Sequence, residues 1–161
     1  MKKVISVIII MMFILFICKE IYATSSNYAT SSKYKINEEN RYIYTVDAST
    51  PVLGFFSNLT VNSSLTYHVY DKDGNKKADD QKLVTGDLLM FKNREQYVIS
   101  VTKDLNCDGK VTISDLAKLQ RRILNPYEEI STESFLAGDS NFDDRLTVSD
   151  LASMQRYILN K

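Results

Sequence analysis

Residues 104–125 read DLNCDGKVTISDLAKLQRRILN, and residues 139–160 read DSNFDDRLTVSDLASMQRYILN. At an offset of 35 the two segments share thirteen of 22 positions. Four more are conservative: Lys110/Arg145, Val111/Leu146, Ile113/Val148 and Leu119/Met154. Similarity at a fixed period marks the duplication of one supersecondary unit. The C-terminal segment, residues 103–161, is therefore read as two copies of a loop followed by a helix.

The polar residues of each loop fall in a pattern that has a chemical purpose. In the first copy Asp104, Asn106, Asp108, Lys110, Thr112 and Asp115 hold positions 1, 3, 5, 7, 9 and 12 of a twelve-residue loop. In the second the same positions carry Asp139, Asn141, Asp143, Arg145, Thr147 and Asp150. This is the oxygen-donor spacing of a calcium loop, in which a hard cation collects six to eight oxygens. Position 7 acts through its main-chain carbonyl, which leaves the side chains of Lys110 and Arg145 free. Position 6 must turn sharply and Gly109 suits it. Asp144 departs from that rule, although Asp tolerates left-handed backbone better than most residues. Apolar Val111 and Leu146 at position 8 are expected where paired loops meet. Residues 104–161 hold 7 basic and 10 acidic groups, seven of the acids inside the loops, so two Ca²⁺ would move the formal charge from −3 to +1. Residues 71–75 open in the same way, but their position 12 is Lys82, so they read as a hairpin turn rather than a third site.

Each loop runs into a helix. Thr112 and Thr147 are candidate N-caps, with Asp115 and Asp150 three residues on, close to a capping box. Leu116, Leu119 and Ile123, and in the second copy Leu151, Met154 and Ile158, form one apolar stripe per helix. Pro126 stops the first helix. Residues 131–137 read as a short connecting helix around Phe135 and Leu136. The residues before Asp104 read as strand, so the helix that precedes the loop in an ordinary EF-hand is missing.

On these residues the segment from Asp104 to the C-terminus resembles a dockerin, the calcium-binding module that plugs into cohesin domains. The resemblance rests on the duplicated Asp-x-Asn-x-Asp opening, the Asp at position 12, the Leu-Gln-Arg-Arg-Ile-Leu and Met-Gln-Arg-Tyr-Ile-Leu helices, and the absent entering helix. It implies two bound Ca²⁺ and a cohesin-bearing scaffold or surface protein as partner. It also implies that partner choice is read at Ile113, Ser114, Gln120, Arg121 and Asn125 in the first copy, and at Val148, Ser149, Gln155, Arg156 and Asn160 in the second. Ile113 and Val148 depart from the Ser common at their position. They would either make a more apolar contact or lie buried beside the helix start. Two nearly equal faces imply two docking orientations.

The rest of the chain reads as follows. A basic Met1-Lys2-Lys3, a run from Val4 to Cys18 that is apolar but for Ser6, and a small Ala23 make residues 1–23 a signal peptide. Its removal leaves 17 basic and 19 acidic side chains and the single thiol Cys107. That balance disfavours nucleic acid as a partner, and the loss of the apolar segment leaves no membrane partner. Residues 24–40 are Ser-, Thr- and Asn-rich and read as a flexible leader. Residues 41–102 read as a small, mostly antiparallel β-module, with strands at 42–46, 65–70, 82–85, 88–92 and 96–102 and a short helix within 50–59 capped by Thr50. This module is similar to those that precede dockerins in secreted clostridial proteins. The expected fold class is multi-domain α+β, the β-module followed by an all-α dockerin.

The expected function is that of a secreted, non-catalytic adaptor, extracellular or held at the cell surface through its scaffold, in a polysaccharide-degrading, cellulosome-like complex. An alternative is a carbohydrate-binding accessory protein, since six Tyr lie between residues 28 and 70 and exposed rings stack on sugars. Another is a small component associated with glycoside hydrolases, whose carboxylate pair would come from Glu38-Glu39, Asp71/Asp73 or Asp79-Asp80. His68, the single His, is read as a strand residue. Asn58 and Asn62 match a glycosylation pattern by accident. Cys107 at loop position 4 is expected to point outward.

Overall fold

A computed structural model of the chain describes residues 28–61 and 66–160. The signal-peptide reading, residues 1–23, and Asn62 lie outside the described residues. Five strands form the main sheet. They are β2 (Lys35–Asn37), β3 (Tyr42–Val46), β5 (Tyr67–Tyr70), β6 (Leu88–Phe91) and β7 (Gln96–Val101), in the order β2-β3-β7-β6-β5. Strands β1 (Ala29–Thr30) and β4 (Thr60–Val61) pair separately. The pairings are antiparallel except β3 with β7, which run parallel with Tyr42 opposite Val98 and Ile43 opposite Ile99. Among the described residues of this part, the one helix is α1 (Val52–Phe56), which covers the inner face.

Strand β3 does not keep a strict alternation. Thr45 takes a left-handed φ of 67° and the register with β7 shifts between Ile43 and Val46. This bulge turns both Ile43 and Val46 into the core and leaves Tyr42 and Tyr44 half-buried on the opposite face. Two further expectations are corrected. Residues 82–85 form no strand; Lys82 makes an isolated bridge to Pro51 and the chain then turns through Val84–Asp87. Thr50 is not the cap of α1. Pro51 stands at the N-cap without a side-chain hydrogen bond, and the Thr50 hydroxyl donates to the Asp47 carbonyl.

The leader reading fails for residues 28–40, which carry β1 and β2. Ala29 and Tyr34 are buried, and Tyr34 stacks on Phe55 at 5.2 Å between centroids. The Tyr97 hydroxyl donates to the Glu38 carboxylate, and Arg41 reaches both Glu38 and Tyr97. These anchors lie far apart among polar residues, so no short window shows a period.

The C-terminal part contains α2 (Ile113–Leu124), α3 (Thr132–Gly138) and α4 (Val148–Leu159). Leu105, Leu119, Ala137 and Met154 form its buried core, flanked by Leu116, Ile123, Leu146, Leu151 and Ile158. Among the described residues this part consists of these helices and the loops between them. Helices α2 and α4 pack together, and α3 lies against β7 and β3. The Ser100 hydroxyl donates to the Glu133 carbonyl, and the Lys103 N–H donates to the Ala137 carbonyl. The two halves thus share an interface.

Candidate calcium loops and docking faces

Both helices begin as the sequence suggests. Thr112 and Thr147 are N-caps in extended backbone, and each forms a complete capping box with Asp115 or Asp150. The hydroxyls of Thr112 and Thr147 accept the N–H of Ser114 and Ser149. These two threonines therefore serve the helix start, and a cation would meet them through water. The position-12 carboxylates also hold the loop openings. Asp115 accepts the Asn106 N–H at 3.0 Å and Asp150 the Ser140 N–H at 2.8 Å.

Position 1 closes each loop from the other side. Asp104 accepts the N–H groups of Asp108 and Gly109, and Asp139 those of Asp143 and Asp144. Asn106 and Asn141 each donate to the position-5 carboxylate, Asp108 or Asp143, at 2.8 Å. The N–H groups of Lys110 and Arg145 return to the same carboxylates, while their side chains are exposed. Position 6 is left-handed in both copies, with φ of 76° at Gly109 and 61° at Asp144.

Asp104, Asp115, Asp139 and Asp150 are buried. Among the described residues, no ion pair involves them. Burial pushes the Asp104 carboxyl above its ordinary range; the Thr85 N–H opposes that shift, and the charge of Asp115 adds to it. Their donors are backbone N–H groups together with the Thr112 hydroxyl at Asp115 and the Thr147 hydroxyl at Asp150; a bound cation would add the opposite charge that no described ion pair brings. Among the described residues, His, Cys, Asp and Glu side chains by themselves assemble no group of three able to hold a metal. The donor set also draws on Asn106, Asn141 and main-chain carbonyls, and an all-oxygen set of this kind suits Ca²⁺.

The ten residues implied for partner choice are all exposed: Ile113, Ser114, Gln120, Arg121 and Asn125 on one unit, Val148, Ser149, Gln155, Arg156 and Asn160 on the other. Ile113 is 69% exposed and Val148 71%, which removes the reading that buries them. Leu124 and Leu159, each 76% exposed, lie on the same faces. The sequence reading passed over them because one Leu among helical apolar residues looks like core. Their spacing of eleven from Ile113 and Val148, three turns, was the available signal. The β-module leaves both faces uncovered.

The other candidates disperse. Cys107 is half-buried rather than outward-pointing, its Sγ 3.5 Å from the Ser134 hydroxyl, and burial pushes its thiol up. Asp71 caps a tight turn by accepting the N–H groups of Asp73 and Asn75. Asp79 and Asp80 are exposed, and Glu38 is engaged by Arg41 and Tyr97. Tyr28, Tyr34 and Tyr67 pack with the inner core. His68 and Tyr70 instead line an outer groove of about 430 Å³ with Met90, Lys92 and Arg94. The tyrosines therefore form no single strip.

Residues 102–159 match the family model described as the dockerin type I domain. No curated protein matches the chain, and no solved structure does. Dockerin type I domains are generally calcium-binding and dock onto cohesins, typically in extracellular cellulosome components. With the family match falling on the two capped loop–helix units just described, the chain is a dockerin-containing protein.

Proposed function

We propose that this protein is a secreted, non-catalytic adaptor that binds two Ca²⁺ and docks its β-module onto a cohesin-bearing scaffold. The complex would be of the polysaccharide-degrading, cellulosome-like kind or one at the cell surface. The observation that carries the reading is the repeated pair of buried carboxylates, positions 1 and 12 of each loop, beside an exposed helix face. Asp104, Asn106, Asp108, the Lys110 carbonyl and Asp115 would hold one ion. Asp139, Asn141, Asp143, the Arg145 carbonyl and Asp150 would hold the other, with Thr112 and Thr147 contributing at position 9. The ion supplies the charge that the carboxylates lack. The chain's own residues then fix each helix start, and with it the face that carries Ile113, Ser114 and Arg121 or Val148, Ser149 and Arg156. Ile113 with Leu124, and Val148 with Leu159, offer apolar anchors flanked by Arg and Gln, the mixture expected at the centre of a protein interface.

The test is retention on immobilised cohesins. The mature chain should be retained in calcium and released by chelator. Retention on none of a panel of cohesins, with calcium bound, would contradict the docking assignment.

A further inference from the structure

The two loops are related in sequence but not in surroundings. Among the described residues, the β-module reaches a position-1 carboxylate only at Asp104, where the Thr85 N–H donates to Oδ2 at 2.9 Å. Asp139 receives its bonds from Asp143 and Asp144 within its own loop. Thr85 is itself held in place. Its hydroxyl donates to the Val101 carbonyl and accepts the Val101 N–H. The turn that carries it is tied by Asp87, which accepts the Val84 N–H at 2.8 Å and the Lys77 ammonium at 2.6 Å in a buried ion pair. The Gly86 N–H closes onto the Ile99 carbonyl of β7. A continuous set of bonds therefore runs from the sheet to loop 1.

The loop residues themselves record the difference. A Cβ on Gly109 would sit 2.8 Å from Val84 Cγ2, so the β-module rests directly on this turn and only Gly fits. The equivalent Asp144 is exposed, so it meets only the left-handed backbone requirement, which Asp tolerates. The departure at position 6 thus follows from which loop lies under the β-module. The second loop touches that module through Phe142, whose ring lies 3.9 Å from the Lys35 ammonium and 6.2 Å from the Tyr44 ring.

We propose that the Val84–Asp87 turn of the β-module takes the place of the missing entering helix for loop 1, so that occupancy of the first calcium site and stability of the β-module are thermodynamically linked, while the second site is nearly independent. The inference rests on the calcium reading of the loops. A bond from a fixed N–H holds the Asp104 carboxylate in one orientation, so the turn and the loop keep their geometry together. By linkage, anything that binds the folded junction stabilises both of its sides.

The test uses the full mature chain and two variants of the same chemistry at equivalent exposed positions, Asp108→Ala and Asp143→Ala. Calcium uptake is followed by calorimetry, and β-module stability by amide exchange at Val98 and Ile99. Asp108→Ala should abolish the calcium-dependent protection of Val98 and Ile99, and Asp143→Ala should leave most of it. Thr85→Pro, which removes the donor, should weaken one of two sites at least about tenfold. Thr85→Ala keeps the N–H and should weaken that site less. Equal effects of Asp108→Ala and Asp143→Ala, or protection that ignores both while two ions bind, would overturn the linkage and leave the calcium reading standing. Absence of any uptake would overturn both.

Discussion

Asp115 and Asp150 each carry two tasks. Each carboxylate closes a capping box and anchors the opening of its loop, so its loss removes the capping-box bond as well as a proposed cation ligand. Asp115→Ala should leave a single ion per chain by calorimetry, and the cap alone should cost about 1 kcal/mol in chemical unfolding. In the β-module Tyr97 is decisive. Burial, together with the Glu38 carboxylate, pushes its phenol far above the ordinary value, and burial raises Tyr34 as well. An acid whose folded pKa is raised ionises first in the unfolded chain, so the folded state loses ground as pH climbs above about 10. Urea unfolding should show stability falling steeply beyond about pH 10, with a shallower fall in Tyr97→Phe. An equally steep fall in that variant would contradict the assignment. The donor pattern of the loops was legible residue by residue because ligand spacing is local. The partners of Glu38 and Thr85 were not, because they lie 59 and 19 residues away.

Among the elements, α2 and α4 were the most readable: stripe, cap and stop all lie within a dozen residues and agree with one another. The β-module was harder. The bulge at Thr45 reverses the inward face of β3, the parallel β3–β7 pairing leaves no local mark, and β1 and β2 hide in a polar stretch whose few apolar residues serve distant neighbours. The exposed faces of α2 and α4 make the element-scale prediction. Each helix exposes the same residue types, and on the proposed docking reading either would face a partner. Ile113→Asp alone, or Val148→Asp alone, should change cohesin affinity by about threefold or less. The double variant should lose at least about thirtyfold, as removal of a central apolar anchor from every orientation would. Calorimetric titration with a cohesin checks this. A large loss from one single substitution would show that one face is used.

At the scale of the whole molecule, the C-terminal core is small and Cys107 is free, so no internal disulfide supports it. On the proposed calcium reading, ligation energy supplies part of the folding energy. Asp104, Asp115, Asp139 and Asp150 are buried acceptors for which the fold provides backbone donors and no cationic side chain among the described ion pairs. The shared interface through Ser100, Lys103 and Thr85 sets the β-module against the rear of these loops, with both helix faces open. Calcium titration of the chelator-treated protein by calorimetry tests this most directly. Two ions should bind per chain, accompanied by a gain of helical signal; a chain that takes up no calcium, with its helices already formed, would contradict it.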